Sequence, residues 1–303
     1  MRGSQFNFPA GRVSGQERIS GSRMSEVRQL GDQAASVSIC GYIPAMSEQP
    51  GITEEIAEAK WHREIAPAIQ AVMDRLQDPS DLQVSTQSVM ADDDTATDPY
   101  QLSHSARWCL NSGVNHLHAL KTLVVDARAL HSSASYGLAR GALENLGAGF
   151  WILHSDNRAT RIEHSLRWWT TNFRDQERAT KTMSSRPPLA AKLDRVEALA
   201  RAAACDLSKI RNGYSSTEAL TYADTNSTAL KPYLIWQICS GFAHGRPWAA
   251  LVMNEMEQRP TEASGISLVR FTADHTRLLA VAMPAMHLLE DVLRLYQHRS
   301  AVA

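Results

Sequence analysis

The chain has 303 residues, of which 44% are hydrophobic, and its formal net charge is −1 at pH 7. This length can bury a substantial core, as one large helical domain or two smaller ones, without disulfides or metals. The near-zero charge excludes the strongly basic surface of a general nucleic-acid or membrane-surface binder, so we expect neither DNA nor a membrane as a partner.

The start of the chain and its cysteines favour a cytoplasmic protein. The first forty residues contain no continuous apolar run of the kind found in secretory signals. Four cysteines lie far apart, without a CxxC pair or a histidine at metal-ligand spacing, and are expected to be free thiols: Cys40, Cys109, Cys205 and Cys239. We therefore predict no metal site and no cofactor.

Residues 1 to 50 are rich in Gly, Ser and Arg and show no hydrophobic period. This composition is typical of a disordered or weakly ordered segment. Met24 and Met46 lie just before the expected ordered region. Either is a candidate for the true start of translation, in which case the preceding residues would not be translated. Residues 51 to 303 are expected to form one helical domain.

Hydrophobic periodicity in that domain predicts an all-α fold, with six or seven helices in a single elongated bundle. A short hairpin is expected within 253 to 271, where the run GISLVRF is rich in β-branched residues. The acidic run from Asp92 to Asp98 and most of residues 205 to 228 are expected to be loops, the latter with one short helix near 217 to 222. The predicted helices cover about 53–76, 103–131, 133–154, 155–183, 189–203, 228–244 and 272–297.

The segment from Ser133 to His154 is apolar on nearly all sides of a helix. This pattern predicts a helix at the centre of the bundle, around which the others pack. Arg140, Glu144 and Asn145 near its middle would be costly in lipid, which argues against a membrane span. Arg140 and Glu144 are four residues apart and can pair. The pair is either a structural clamp, which we favour, or part of a site. Gly137 and Gly141 suggest close approach of a neighbouring helix.

The next helix, 155 to 183, has a narrow apolar stripe and many charges. Its basic side chains could form an anion-binding surface, but acidic residues are interspersed among them, so we favour a solvated face. The basic residues are Arg158, Arg161, His164, Arg167 and Arg174.

A second informative stretch is YLIWQICSGFAHGRPW, from Tyr233 to Trp248. Tyr233, Gln237, Ser240 and His244 share one helical face and form a polar row. A Ser and a His one turn apart suggest a nucleophile and its base, yet no acidic residue lies nearby in sequence to orient the imidazole. A hydrogen-bonded interior histidine is the favoured interpretation.

The combination of RGALENLGAGFWIL with a later SGFAHG resembles a set of uncharacterised all-helical bacterial proteins, over about residues 100 to 300. Those proteins are similar in outline to HEPN domains, helical bundles that often dimerise and in many cases act as metal-independent ribonucleases in toxin and phage-defence systems. The resemblance implies a homodimer, RNA as a substrate, and an Arg followed four to six residues later by a His.

Two pairs in the chain match that signature, Arg158 with His164 and Arg270 with His275. The resemblance implies that the His acts as general acid or base at a ribose hydroxyl while the Arg stabilises the phosphorane charge. Arg270 and His275 are the preferred catalytic pair, with His244 as a further candidate. Phe271 departs from the polar residue that commonly follows the Arg.

Three functional hypotheses follow. The leading one is a non-enzymatic helical module that self-associates or binds a partner. The alternatives are a HEPN-like ribonuclease and a small-molecule or nucleotide pocket between helices, built from Arg140, Glu144, Arg161 and His244. The predicted binding residues are Arg140, Glu144, Asn145, Arg161, His164, Tyr233 and Ser240.

Overall fold

The computed structural model describes residues 52–183, 189–260 and 267–302. Eleven helices and two strands lie in these ranges. The first and third helices each include a π turn. In chain order the elements are α1 (Glu54–Lys60, Trp61–Ile65 and Ala66–Gln77), α2 (Val89–Thr97), α3 (Leu102–Lys121 and Thr122–Asp126), α4 (Ala134–Leu153), α5 (Arg158–Thr180), α6 (Leu189–Ala202), α7 (Leu207–Asn212), α8 (Ser216–Asn226), α9 (Pro232–Ala243), α10 (Pro247–Met253), β1 (Glu255–Pro260), β2 (Ser267–Thr272) and α11 (His275–Ser300).

Helix α4 is the centre of the fold. It packs extensively against α3, α8, α9 and α11, and most of its side chains are buried. A helix surrounded on several sides must be apolar nearly all round, which is the property of the Ser133 to His154 stretch. The predicted central helix is therefore confirmed. The prediction for residues 1 to 50 lies outside the described residues.

The all-α prediction is confirmed at the level of a mostly helical chain, but the predicted number of six or seven helices is too low. The additional helices are short, and short helices carry too few turns for a hydrophobic period to show. Helices α7 and α8 occupy the stretch predicted to be mainly loop; α8 corresponds to the short helix predicted near 217 to 222, and α7 was not predicted. The predicted hairpin region holds β1 and β2, which pair antiparallel.

The acidic run from Asp92 to Asp98 is also helical, contrary to the loop prediction. Helix α2 begins after Ser88, whose hydroxyl accepts a hydrogen bond from the Ala91 amide as an N-cap. Asp93 is fully buried and is hydrogen bonded to arginines of α5. An ion pair supplied by another helix thus holds a segment whose own composition favours a turn.

Of Gly137 and Gly141, the two glycines expected to mark a close helix approach, only Gly141 has a close neighbour among the described residues. A Cβ built on Gly141 would lie 2.3 Å from Cδ2 of His116, so the glycine makes room for that ring on α3. No atom of the described ranges lies within 4 Å of a Cβ built on Gly137. The expected helix approach is therefore wrong for Gly137.

Two buried arginines hold the end of α4. Arg299 donates to the carbonyl oxygens of Leu153, His154 and Ser155. Arg161 donates to the carbonyl oxygens of Ser155 and Asp156 and, through Nε at 2.8 Å, to Asp93. The Leu153 carbonyl, the last of the helix, lacks a partner within it and carries partial negative charge, and the Arg299 guanidinium satisfies both needs. Arg161 holds the turn that follows the helix.

The solvated face predicted for α5 is consequently wrong for much of its length. Arg161, His164 and Arg167 are buried, as is Glu163. Arg167 donates to the carbonyl of Gly213 and pairs with Glu218, while its guanidinium lies over the Trp151 ring. The partners of these buried residues come from distant parts of the chain, and the residue pattern of a single helix does not indicate them.

Within the described ranges, no helix combines the length and the apolar character that crossing a bilayer requires.

Replacing Arg161 with Ala should lower the free energy of unfolding by about 3–5 kcal/mol, because a buried carboxylate loses its buried partner and two carbonyls lose a donor. Urea denaturation followed by circular dichroism measures this. Arg178→Ala is the matched control, since Arg178 forms an exposed pair with Asp175, and it should cost less than about 1 kcal/mol. Equal effects of the two substitutions would contradict the role of Arg161 in joining Asp93 to the turn after α4.

Candidate functional site

Two side chains of α4, Arg140 and Glu144, are hydrogen bonded to two side chains of α9. Arg140 Nη2 donates to Glu144 Oε1 at 2.8 Å, and its Nε donates to Ser240 Oγ at 3.0 Å. Glu144 Oε1 also accepts a hydrogen bond from Trp236 Nε1 at 2.9 Å. We call these four residues, Arg140, Glu144, Trp236 and Ser240, the α4–α9 network.

Helical spacing explains both sides of this network. Arg140 and Glu144 lie one turn apart on α4, and Trp236 and Ser240 lie one turn apart on α9. The sequence predicted three of the four residues and missed Trp236, because a tryptophan on an apolar helix reads as core. Its position four residues before Ser240 was the signal that could have found it.

The α4–α9 network is neither fully shielded from solvent nor part of an open cleft. The side chains of Arg140 and Glu144 are 29% and 24% exposed, respectively. Each charge has a partner and each makes a hydrogen bond to the other helix, so the network acts as a fastener between α4 and α9. Of the other predicted binding residues, Asn145 donates back to the Gly141 carbonyl, and Tyr233 stacks on Trp236.

A Ser–His catalytic pair is not formed on α9. The Ser240 hydroxyl accepts from Arg140, and the bond that joins Ser240 to His244 runs between backbone atoms, from the His244 amide to the Ser240 carbonyl. His244 is exposed at the end of the helix, not interior as expected. No described acidic side chain is hydrogen bonded to its ring, so the arrangement lacks the orienting group of a triad.

Gly245 shapes the corner between α9 and α10. It has φ of 62°, a left-handed conformation that favours glycine. Its amide bonds to the Phe242 carbonyl, and the Arg246 amide bonds to the Gly241 carbonyl. This pair of bonds is a Schellman motif. The motif ends α9 and turns the chain into α10 at Pro247.

The structure places Arg161 and His164 away from the α4–α9 network. Arg161 binds the chain just after Leu153, and Arg140 to Leu153 spans about 20 Å along α4 at 1.5 Å per residue. His164 is buried, stacks on Trp151 with ring centroids 3.7 Å apart, and donates from Nδ1 to the Trp151 carbonyl at 2.6 Å. The four residues of the predicted pocket therefore do not line one cleft.

The HEPN-like pairs occupy different settings. Arg158 lies on α5 and pairs with Asp93, whereas His164 on the same helix is buried. Arg270 is exposed on β2 opposite Glu257. His275 opens α11, and both its amide and its Nδ1 donate to Glu54 Oε1, at 2.9 and 2.7 Å. The carboxylate of α1 thus caps α11 and orients the His275 ring.

No protein-family model, no curated protein and no solved structure matches this chain significantly.

Removing the Glu144 carboxylate should loosen the contact between α4 and α9. We expect Glu144→Ala to lower the free energy of unfolding by about 1–2 kcal/mol, because Arg140 and Trp236 both lose their acceptor. Glu144→Gln keeps a carbonyl acceptor for Trp236 and should cost less. Urea denaturation of the purified variants measures both values.

The control for Glu144 is Glu64→Ala. Glu64 pairs with Lys60 at the same i,i+4 spacing but on an exposed surface, so its loss should cost less than about 0.5 kcal/mol. If both alanine variants lose the same stability, the α4–α9 network does not fasten the two helices.

Acid should destabilise the fold through His164. Burial lowers the pKa of His164 to about 4, which the hydrogen bond to the Trp151 carbonyl only partly opposes. Between about pH 6.5 and 4 the unfolded chain binds a proton that the folded chain does not, so this contribution, about 3 kcal/mol, is present above pH 6.5 and is lost as the pH falls towards 4.

His164→Gln removes the titrating group, so the free energy of unfolding should change less between pH 7 and pH 4 than in the wild type. Urea denaturation at several pH values measures this slope. His131 is exposed, and His131→Gln should leave the slope unchanged. A His164→Gln slope equal to that of the wild type would contradict the buried neutral state.

Proposed function

We propose that this protein is a self-association module in which two copies meet through the paired strands β1 and β2, called here the arm. The observation that carries the proposal is an exposed apolar face on the arm. Met256 is 48% exposed and Val269 is 45% exposed. The two strands contact each other, but they make only sparse contacts with the other described elements.

The strand register separates the arm into two different faces. Residues opposite each other in an antiparallel pair point to the same side, and neighbours along a strand point to opposite sides. Met256 pairs with Phe271 and Gln258 pairs with Val269, which makes one side mainly apolar. The other side carries Glu257 opposite Arg270, and Arg259 opposite Leu268.

Such an arm needs a covering surface. A lone two-stranded ribbon is marginally stable in water, and stability ordinarily requires further strands or packing against another element. Exposed strand edges also present unpaired backbone groups that invite pairing. The apolar face is therefore a part of the described chain whose packing requirement the chain itself does not meet.

The apolar face of the arm suits a second copy as the occupant. A twofold interface uses the same patch on both subunits, so the patch must complement itself. An apolar face meets that condition without paired charges. The net charge of −1 also gives little repulsion between copies.

Helix α10 leads directly into the arm and extends its apolar character. Trp248 and Leu251 are both exposed on this helix. The Trp248 indole lies against Gly241, where a Cβ would be 3.0 Å from Cζ2 of that ring. A rigidly supported aromatic side chain is a common anchor in protein interfaces, so α10 is the natural extension of the contact.

Placing a charge on the apolar face should dissociate the dimer. We expect Val269→Lys and Met256→Lys each to weaken self-association at least tenfold, because a buried unpaired ammonium opposes contact. Sedimentation velocity over a range of protein concentrations measures the dissociation constant, and circular dichroism checks that the helices remain folded.

Leu268→Lys is the matched control. Leu268 is 67% exposed but lies on the charged side of the arm, so this variant should dimerise like the wild type. A wild-type protein that stays monomeric at about 100 μM, well above the dissociation constants of stable dimers, contradicts the proposal. An equal loss of association in Leu268→Lys contradicts the assignment of the apolar face.

A further inference from the structure

A groove lies between α2, α5 and the end of α6, apart from both the arm and the α4–α9 network. Its volume is about 400 Å³. Small ligands generally bind in clefts of roughly 300 to 1,000 Å³ that are mainly apolar with a few placed polar groups. Six of the seven lining residues are apolar and one is an arginine: Ala96, Arg158, Ala159, Ile162, Ala202, Ala203 and Ala204.

The charge balance beneath the groove is uneven. A single buried carboxylate, Asp93, accepts hydrogen bonds from both Arg158 Nε at 3.2 Å and Arg161 Nε at 2.8 Å. Arg161 is 2% exposed and Asp93 is fully buried, whereas the Arg158 side chain is 54% exposed. Two guanidinium groups thus share one carboxylate, and the uncompensated positive charge faces the groove through Arg158.

The guanidinium of Arg158 is positioned with one side left open. Its Nε binds Asp93, and its Nη2 donates to the Asp92 carbonyl at 2.7 Å. Nη1 makes no hydrogen bond to any of the described residues. An arginine carries five N–H donors in a planar fork, and two parallel donors match the two oxygens of a carboxylate. The guanidinium is therefore held in place through Nε and Nη2, while its outer edge, formed by Nη1 and the second hydrogen of Nη2, is available to a ligand.

We infer that this groove binds a small organic acid, whose carboxylate pairs with the outer edge of Arg158 while its apolar body lies on Ile162 and the alanines. A carboxylate fits better than a polyphosphate, because Arg158 is the one cation among the described residues that line the groove. The small alanine side chains leave room for an unbranched chain or a single ring. This ligand site is independent of self-association.

Hexanoate is a suitable probe, and hexanamide is its uncharged counterpart with nearly the same shape. Isothermal titration calorimetry of the full chain should give a dissociation constant for hexanoate on the order of 1 mM, as expected for so small a ligand. Hexanamide should bind at least tenfold more weakly, because it cannot form the charged pair.

Two variants test the site itself. Arg158→Gln should weaken hexanoate binding at least tenfold and leave the fold intact, since Arg161 still pairs with Asp93. Ala203→Leu adds bulk to the wall and should weaken hexanoate and hexanamide alike. Arg201→Gln is the charge-matched control: Arg201 is exposed and pairs with Glu197 outside the groove, so its loss should leave binding unchanged.

Three results would overturn the inference: no saturable binding of hexanoate up to about 10 mM, equal binding of hexanoate and hexanamide, or equal losses in Arg158→Gln and Arg201→Gln. Thermal unfolding of each variant separates loss of the site from loss of the fold. Sedimentation velocity on the same samples reports the dimer separately, so failure of this site and failure of the arm are distinguishable.

Discussion

The fold depends on how the buried end of α4 is satisfied. A helix that is enclosed by four others cannot turn its last carbonyls to water, and an unpaired buried carbonyl costs about 1–3 kcal/mol. Arg299 from α11 donates to the last carbonyl of the helix, that of Leu153, and Arg161 from α5 donates to the carbonyls of Ser155 and Asp156 in the turn that follows. Because Arg161 is itself buried, it requires the carboxylate of Asp93, and that requirement fixes α2 beside α5. One buried helix end thus links four helices.

The same arrangement explains why two polar clusters differ in net charge: the α4–α9 network, and the group formed by Asp93, Arg158 and Arg161. At the α4–α9 network every charge has a partner and the net charge is zero, which suits a fastener between two helices. At α5, the sharing of Asp93 by two arginines leaves one positive charge at a groove. Holding the turn after α4 with a buried arginine therefore brings Asp93 beside α5, and the second arginine on that carboxylate, Arg158, offers its charge at the groove.

The arm differs from the rest of the chain in how its apolar surface is covered. The core side chains of α3, α4 and α11 are buried within the described residues, whereas Met256 and Val269 are exposed on a ribbon with few other contacts. This is the physical basis for preferring self-association over a purely internal role. The resemblance to HEPN domains, which would also imply a dimer and would make Arg270 and His275 catalytic, remains a prediction. The bond from His275 to Glu54 explains the start of α11 without invoking catalysis.

The sequence by itself determined the mostly helical character of the chain, the central position of α4 and the pairing potential of Arg140 with Glu144. Each rests on contacts within one helix, which spacing along the chain reports directly. Only the tertiary structure decided that Asp93 is a buried partner and not a loop residue, that α5 buries its charges, and that Trp236 joins Glu144. These contacts join residues far apart in sequence, and an isolated helical pattern carries no information about which distant group will satisfy a buried charge.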